Sequence, residues 1–365
     1  MTTRIAILDP GSFVLPYDHQ LVQALAARGA QVEFFGSATR YNGELLDAMR
    51  TLPGVTVDAP RISRTVASRG RGALAYAAML VRLLWRSPRF DIVNLQFSGW
   101  WPAEWLVFSL LRRRFVFTVH NAVPHGFAGA QHAPTRRLAR LATALLFVSA
   151  STRDDFIDRY GERFRVKSHV LPHGLMPAAP GIEPVAYAGG AVPRALVFWG
   201  RVQPYKGVEL FADLARSPQL RARGMALKVV GAWSAELMPV KAELASLGVQ
   251  VDDRYLDTPA LLALLAEEAI FLLPYQRASQ SGALYTLLHH GRVFICADTG
   301  DLGDFMRRHG LEGLLLKERS VSAVLDCVAY FELHRDAVLQ AFQRAQDAHR
   351  WGRLIAEAGT PYGLK

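Results

Sequence analysis

The stretch ALVFWGRVQPYKGVELFADL, residues 195–214, joins a predicted buried strand to a predicted helix. Its apolar run ends at Gly200, and Lys206 precedes the second glycine, where the helix is expected to open. A loop between a strand and a helix N-terminus offers free backbone N–H groups and the positive end of the helix dipole, which together suit a phosphate. Arg201 and Lys206 add two positive charges to that loop. The sequence therefore indicates an anion site, and a pair of ordinary solvated surface cations is the alternative.

A second loop of the same kind lies in LLPYQRASQSGALYTLL, residues 272–288. The predicted strand ends at Pro274, and a helix is predicted to begin near Ser281, Gly282 and Ala283. Small residues there allow backbone amides to approach an anion closely. Two such loops on one sheet can hold a diphosphate from both sides.

Around these loops the chain alternates short apolar strands with helix-length segments. Residues 176–193 contain four prolines and three glycines without a helical period, which predicts a linker. The alternation predicts parallel sheets covered by helices on both faces, with ligands bound beyond the carboxyl ends of the strands. We expect an α/β protein of two doubly wound, Rossmann-like domains facing each other across a cleft, residues 1–175 and 194–333. A helical segment, residues 334–365, is expected to cross back to the first domain.

The net charge of +10 arises entirely in the first half of the chain. Residues 1–180 carry 22 Lys and Arg against 12 Asp and Glu, and residues 181–365 carry 20 of each kind. Residues 61–90 contain seven arginines and no acid, and residues 112–114 add three more arginines. This pattern predicts contact with an anionic membrane surface, with an ordinary surface helix as the alternative. The arginines of residues 61–90, among them Arg82, Arg86 and Arg89, are expected to make the contact, with an apolar contribution from Met79, Leu80, Leu83, Leu84 and Trp85.

Other site types and compartments find little support in the sequence. Cys296 and Cys327 both lie in apolar surroundings that suit buried free thiols of a reducing compartment. The N-terminal residues lack the pattern of a signal peptide, and no run of about 18 apolar residues occurs. We expect a cytoplasmic protein, peripheral on the inner face of a membrane, that binds no nucleic acid because its aromatic residues form no stacking platform. Without a dinucleotide turn, a P-loop, a Cys-x-x-Cys or an Asp-x-Asp motif, the anion site is predicted to work without a metal.

Six segments together resemble the GT-B glycosyltransferases, in particular the large retaining family, family 4-like, of bacterial polysaccharide and lipid-glycan enzymes. In chain order they are PYDHQLVQALAARGAQVEFFG, FVFTVHNAVPH, LFVSASTRDDF, VLPHG, VFWGRVQPYKGVELF and PYQRASQSGALYTLLHHGRVFICADTGD. The resemblance implies a nucleoside diphosphate sugar as donor and no cofactor. It implies that Arg201 and Lys206 hold the donor diphosphate and that His120 contacts the donor sugar. The other donor-binding residues that it implies are Gly200, Tyr275, Gln280, Ser281, Gly282, Ala283 and Thr286.

The chain departs from that family at two places. A Glu-x7-Glu pair, usual in the family, falls here on Ala278 and Thr286, and FVLPYDH, residues 13–19, replaces a Gly-Gly turn. Retention of anomeric configuration, which the resemblance implies, therefore stands beside inversion with Asp18 as the base that binds or deprotonates the acceptor. Asp18 also fits a helix N-cap. His120 equally fits a structural histidine with satisfied hydrogen bonds.

These observations predict a glycosyltransferase that moves a sugar from a nucleoside diphosphate to a hydroxyl of a membrane-associated acceptor, a lipid-linked glycan in polysaccharide or glycolipid synthesis. Arg201, Lys206 and the amides at Ser281 and Gly282 would stabilise the charge of the leaving diphosphate. The absence of both glutamates also fits a catalytically silent module that binds a nucleotide sugar. A GT-B epimerase acting on nucleotide sugars is a further alternative.

Overall fold

The computed structural model describes residues 2–39, 42–61, 69–99, 101–111, 115–123, 132–187, 193–278, 281–357 and 361–363. The chain forms two compact units. The first comprises residues 1–174 and 349–365, and the second comprises residues 175–348. Each unit is built around its own parallel sheet with connecting helices, which confirms the predicted fold class of two doubly wound, Rossmann-like domains.

The first unit contains a parallel sheet of seven strands in the order β3-β2-β1-β4-β5-β6-β7. The strands are β1 (Arg4–Leu8), β2 (Gln31–Phe35), β3 (Val55–Asp58), β4 (Ile92–Leu95), β5 (Phe115–Val119), β6 (Ala144–Phe147) and β7 (Ser168–Val170). The helices between them are α1 (Leu15–Ala27), α2 (Gly43–Arg50), α3 (Arg69–Arg86), α4 (Trp101–Leu111), α5 (Ala133–Leu141) and α6 (Ala150–Tyr160). Strand order reverses between β1 and β4, so the loops after these two strands open a crevice at the carboxyl edge of the sheet.

The second unit contains a parallel sheet of six strands in the order β10-β9-β8-β11-β12-β13. The strands are β8 (Ala195–Trp199), β9 (Ala226–Val230), β10 (Gln250–Asp252), β11 (Ala269–Leu273), β12 (Phe294–Ala297) and β13 (Leu315–Leu316). The helices are α7 (Leu210–Arg216), α8 (Pro218–Ala222), α9 (Met238–Ser246), α10 (Thr258–Ala266), α11 (Gly282–His289), α12 (Gly300–Arg308), α13 (Val321–Leu333) and α14 (Arg335–Ala348). Here the order reverses between β8 and β11, the two strands whose following loops the sequence singles out.

The carboxyl-terminal residues belong to the first unit. The chain continues from α14 into α15 (Trp351–Glu357), whose first residue packs edge-on against the ring of Tyr17, with the ring centroids 5.1 Å apart. Gly174 lies against the indole of Trp351 so closely that a Cβ there would come within 2.4 Å of it. Tyr362, further along, donates its hydroxyl to Asn94 Oδ1 at 2.9 Å. These contacts fix Trp351 to helix α1 and to Gly174, and Tyr362 to strand β4.

Residues 175–187, which fall mostly in the predicted linker, are bonded to the second unit. The N–H of Val185 donates to the carbonyl oxygen of His289 at 2.9 Å, and the N–H of Ala178 donates to His290 Nε2 at 3.1 Å. His290 must be neutral to accept that bond, and burial lowers its pKa to about 4. The proline-rich composition therefore produces an extended segment fixed to helix α11.

Helix α1 begins at Leu15, with Pro16 in its first turn. Proline is favoured at the start of a helix because its missing N–H has no partner there and its φ is already helical. The side chain of Asp9 accepts the N–H of Val14 at 3.0 Å just before the helix. Asp18 therefore lies inside α1, and its predicted role as the N-cap is wrong because the helix starts before it.

Helix α3 presents a different face to solvent from the one that the charge pattern suggested. Three of the apolar residues expected at a membrane are buried in the core: Met79, Leu80 and Leu83. Two of the arginines expected there form ion pairs with sheet residues: Arg82 with Asp58 and Arg86 with Glu33. The predicted membrane contacts of Met79, Leu80 and Leu83 are therefore wrong, whereas those of Arg82 and Arg86, which are partly exposed but paired, stay a prediction. In the part of the chain that the structure describes, no helix has the length and apolar character needed to cross a bilayer.

Candidate donor site and first-domain pocket

Two loops of the second unit meet at the carboxyl edge of its sheet, one after β8 and one after β11. The N–H of Gln276 donates to the carbonyl oxygen of Tyr205 at 2.7 Å, and the rings of Tyr205 and Tyr275 lie edge to face with centroids 6.3 Å apart. Gly207 has a left-handed φ of +67°, and a Cβ at this position would lie 2.2 Å from the carbonyl oxygen of Pro274. Glycine at 207 is thus what allows the two loops to touch.

The two cations that the sequence singled out lie together in this contact. The Lys206 ammonium lies 5.0 Å from the centroid of the Tyr275 ring, and a Cβ on Gly200 would be 3.6 Å from the same nitrogen. Burial, and then the nearby charge of Arg201, lower the pKa of Lys206 to about 8. Across the described ranges, neither Arg201 nor Lys206 forms an ion pair with an acidic side chain. Two neighbouring cations held without a carboxylate are suited to binding an anion.

Helix α11 begins where the sequence placed the second phosphate-binding loop. Ser281 is its N-cap, and its hydroxyl accepts the N–H of Leu284 at 3.4 Å. The helix starts at Gly282, an exposed position, followed by the half-buried Ala283. Gln280, the remaining residue implied for this loop, lies outside the described residues. The exposed first turn leaves room for an anion close to the backbone amides.

Thr286 occupies the place where the family usually carries a glutamate. It is buried, and its hydroxyl donates to the carbonyl oxygen of Gly282 at 3.1 Å. A hydroxyl whose proton is already used in the helix can only accept a further hydrogen bond, whereas a carboxylate accepts through two oxygens. Thr286 is therefore a poorer partner for the two hydroxyls of a ribose than the glutamate that it replaces.

The structure also brings in a cation that sequence reasoning missed. Arg319, in the turn after β13, has its Cδ 3.7 Å from the position of a Cβ on Gly207. Its position after a strand, at the same carboxyl edge as the other two loops, is the signal that could have identified it. The site thus gathers Gly200, Arg201, Lys206 and Tyr275, with Arg319 beside them.

In the first unit, His120 follows strand β5 and closes a chain of buried hydrogen bonds. Its Nε2 lies 2.9 Å from Gln96 Oε1, and Gln96 Nε2 donates to Asn94 Oδ1 at 2.7 Å. Asn94 donates in turn to Thr118 Oγ1 at 2.9 Å and accepts from the Tyr362 hydroxyl. Because a carbonyl oxygen only accepts, Nε2 of His120 carries the proton, and the orientation of the ring is fixed.

The surroundings of His120 hold it in the neutral form. Its ring stacks on Phe97 with centroids 5.1 Å apart, and Tyr17 meets it edge-on. Burial, and then the charge of His173, lower the pKa of His120 to about 3. Because the ring is neutral and its Nε2 proton is donated to Gln96, His120 offers a sugar neither a positive charge nor that proton.

Asp18, the candidate base, is paired with a second carboxyl group in the interior. Both Asp9 and Asp18 have no exposed surface. Burial, and then the charge of Asp9, raise the pKa of Asp18 well above its usual range. Backbone N–H groups near Val14 stabilise the ionised form of Asp9, so the proton of the pair resides on Asp18. A buried, protonated carboxyl group is not placed to take a proton from an acceptor hydroxyl.

A cavity of 480 Å³ lies beside His120 at the carboxyl ends of β4 and β5. Its polar lining includes Gln96, Thr118 and His120, and its apolar lining includes Phe97 and Leu138. A mixed wall of this kind suits a sugar ring, which presents both hydroxyl groups and apolar faces.

Two models of glycosyltransferase families match the chain, one in each unit. The model of Glycosyltransferase Family 4 matches residues 17–178, and the model of Glycosyl transferases group 1 matches residues 193–331. Among curated proteins, none matches the chain in sequence. The two family models cover one unit each and between them most of the chain.

Three solved structures share the fold at low sequence identity. HepE of Anabaena, in complex with UDP and glucose, is 15% identical with a TM-score of 0.68, over 97% of this chain and 98% of that one. Sucrose-phosphate synthase from Thermosynechococcus elongatus is 15% identical with a TM-score of 0.67, over 98% and 97%. The lipopolysaccharide outer core galactosyltransferase WaaB is 14% identical with a TM-score of 0.62, over 98% and 99%. With two matching family models and this shared fold, the chain belongs to the GT-B glycosyltransferases that join a family 4 domain to a group 1 domain.

Proposed function

We propose that the protein transfers a sugar from a nucleoside diphosphate sugar to a hydroxyl of a membrane-associated, lipid-linked glycan acceptor. The observation that carries the donor half is the pairing of Lys206 with Arg201 beside Tyr275, without an acidic partner in the described ranges. Breaking the glycosidic bond leaves a second negative charge on the diphosphate, and cations already fixed in place lower the energy of that transition state. The similar fold of HepE, solved with UDP and glucose, supports this assignment.

The same cations support a reaction without a bound divalent metal. Arg201, Lys206 and the amides at the start of α11 supply positive charge at the diphosphate, which is the contribution that a metal makes in other phosphate sites. Retention of anomeric configuration is proposed as well, because Asp18, the base considered for inversion, is buried and protonated. His120, held neutral because burial lowers its pKa to about 3, is proposed to contact the donor sugar.

The proposal of a membrane-associated acceptor is based on exposed apolar residues of the first unit. Helix α3 exposes Leu74, Val81 and Trp85 at positions spaced seven and four residues apart, which lie on one face. Helix α4 exposes Leu106 and Leu110, at 61% and 67% of their surface. Helices α3 and α4 pack against each other, and exposed apolar side chains on both of them favour an interaction site.

Charge on this part of the chain favours a membrane as the partner. Residues 62–141 contain twelve arginines and two acids. Of the acids, Asp91 accepts the backbone N–H of Arg4, and Glu104 is buried with a hydrogen bond from the Tyr76 hydroxyl. Arg82 and Arg86 are paired with Asp58 and Glu33, which lie outside this range, and the remaining excess of arginines in a segment with an exposed apolar surface suits an anionic bilayer. Similarity in fold to WaaB, a lipopolysaccharide outer core galactosyltransferase, supports the choice of a glycolipid acceptor.

A coupled assay tests the whole proposal. Nucleoside diphosphate sugars that raise the melting temperature of the protein are first identified, and release of nucleoside diphosphate is then measured with and without a lipid extract of bacterial membranes. We expect release that requires the extract and that persists after EDTA treatment and dialysis. Tight donor binding without lipid-dependent release would instead identify a binding module. Strict dependence on added Mg²⁺ or Mn²⁺ would contradict the proposal that Arg201, Lys206 and the amides of α11 hold the diphosphate without a metal.

Replacing the exposed apolar residues should weaken membrane docking. We expect the double variant Trp85→Ser and Leu106→Ser to sediment with phosphatidylglycerol vesicles about tenfold more weakly than the unmodified protein, because it loses two side chains that can enter the bilayer surface. Val166→Ser is the matched control, since Val166 is 92% exposed on a different element of the same unit. Unaltered sedimentation of the double variant would show that this surface does not meet the membrane.

A further inference from the structure

A second cavity lies in the groove between helices α4 and α5, separate from the elements that build the donor site. It has a volume of 560 Å³ and is lined by Pro102, Trp105, Arg137, Arg140 and Leu141. The two arginines are three positions apart on α5, so they project from neighbouring turns on one side of the helix. Trp105, exposed over 43% of its surface, forms the aromatic part of the lining. None of these five lining residues is acidic.

This arginine cavity adjoins the cavity beside His120. Pro102 lines both, and helix α5 contributes Leu138 to the His120 cavity and Arg137 to the arginine cavity. Helix α4, which contributes Pro102 and Trp105 to the arginine cavity, continues toward its C-terminus with the exposed Leu106 and Leu110. Along one groove the protein thus places a wall suited to a sugar, then two guanidinium groups, then an apolar surface.

That order matches the chemical order of a glycan carried on a lipid diphosphate, which is sugar, diphosphate and hydrocarbon. We propose that the arginine cavity binds the diphosphate of the lipid-linked acceptor, with Arg137 and Arg140 as its specificity-determining residues. The acceptor sugar then lies in the part of the His120 cavity that Pro102 and Leu138 line, next to the arginine cavity, and the hydrocarbon chain runs along the exposed side of α4. The inference rests on the proposed function, since it assigns the acceptor of that same reaction.

The chemistry of the lining supports a diphosphate over a diffuse anionic surface. Guanidinium groups bind phosphate oxygens through two parallel hydrogen bonds, and two such groups can serve the two phosphoryl units. The aromatic face of Trp105 can pack against the first isoprene unit or the sugar. Residues that only attracted a charged bilayer would need no concave site. A cavity is required only when a headgroup has to be placed at a fixed distance from the reacting hydroxyl.

The test uses the full chain with vesicles of defined composition and no donor. Three preparations are compared by sedimentation: phosphatidylcholine with a small fraction of polyprenyl diphosphate, phosphatidylcholine with phosphatidylglycerol at the same total charge, and phosphatidylcholine alone with sodium diphosphate in solution. We expect about tenfold tighter binding to the first than to the second, and no sedimentation with the third. In the double variant Arg137→Ala and Arg140→Ala, the preference for polyprenyl diphosphate is lost, while binding to phosphatidylglycerol falls only modestly.

The double variant Arg28→Ala and Arg50→Ala is the control, because it removes the same charge from the first unit at α1 and α2 and should keep the preference. A wild-type protein that binds the two charged vesicles equally, or an Arg137→Ala and Arg140→Ala variant that keeps its preference, would overturn the inference. Retained thermal shift by the donor shows that the variant is folded. Because the binding test involves no transfer, an inactive protein that still prefers polyprenyl diphosphate would contradict the proposed reaction and leave the headgroup site standing.

Discussion

Replacing Lys206 with alanine is expected to lower kcat/KM for sugar transfer by about 100- to 1,000-fold, which corresponds to about 2.7–4 kcal/mol of transition-state stabilisation. The ammonium group lies beside Tyr275 and next to the charge of Arg201, in a site where burial has already removed much of its hydration. A cation so placed loses little further solvation when the diphosphate arrives. Its attraction to the developing charge is therefore stronger than that of an exposed lysine.

The measurement pairs steady-state kinetics with thermal unfolding. Lys241→Ala is the matched control, because Lys241 forms a surface ion pair with Asp253 in the same unit, and we expect it to leave transfer unchanged. The pKa of Lys206, about 8 in the free protein, adds a second readout. Donor affinity should fall as pH rises above about 8, since the neutral amine no longer attracts the diphosphate, and Lys206→Ala should remove this dependence. A folded Lys206→Ala protein with full activity would refute the proposal that Lys206 stabilises the leaving diphosphate.

The sequence was sufficient for the fold because its signals there are local. Short apolar strands alternating with helices predict a parallel sheet whatever the distant contacts are, and the glycines and cations of residues 200–207 follow directly from the loop in which they lie. Helix α11 starting at Gly282 is a similar case, since Ser281 is a favourable N-cap followed by an apolar run. Each of these features depends on a few neighbouring residues.

Features that depend on tertiary packing were not predictable in the same way. Tyr362 contacts Asn94 although 268 positions separate them in the sequence, and Arg319 lies beside Gly207 although more than a hundred positions separate these two. No local pattern encodes either contact. Helix α3 is another feature that the sequence did not predict correctly, because arginines and apolar residues alternate around it. Only its packing on the sheet determines that Met79 is buried and Trp85 is exposed.

The protonation state of Asp18 is a further property that depends on tertiary packing. Its sequence context suits a cap or a base equally well, and both depend on an ionised carboxylate. The structure encloses it beside Asp9, and two buried carboxyl groups in contact cannot both ionise at moderate cost. The role of an acidic residue is therefore set here by a neighbour nine positions away that the strand and helix bring together.

Gly207→Ala is expected to disrupt the donor site more severely than the same substitution at any open glycine of the second unit. Its Cβ would stand 2.2 Å from the carbonyl oxygen of Pro274, and the backbone there has a φ of +67°. A backbone oxygen cannot move aside as a flexible side chain can, so the loops after β8 and β11 must separate. We expect destabilisation of about 3–5 kcal/mol, from the left-handed conformation and the clash together.

Gly224→Ala separates these two contributions. Gly224 has nearly the same φ, +64°, but a Cβ there would meet nothing within 4 Å. This control should therefore lose only about 1–2 kcal/mol for the left-handed backbone and keep its donor affinity. Urea unfolding gives the stabilities, and the thermal shift produced by a nucleoside diphosphate gives the donor affinity of each variant. Since Gly207 holds Lys206 against Tyr275 by permitting the loop contact, Gly207→Ala should also lose donor binding. Equal stabilities for the two variants, or normal donor binding by Gly207→Ala, would mean that the donor site does not depend on the contact between the loops after β8 and β11.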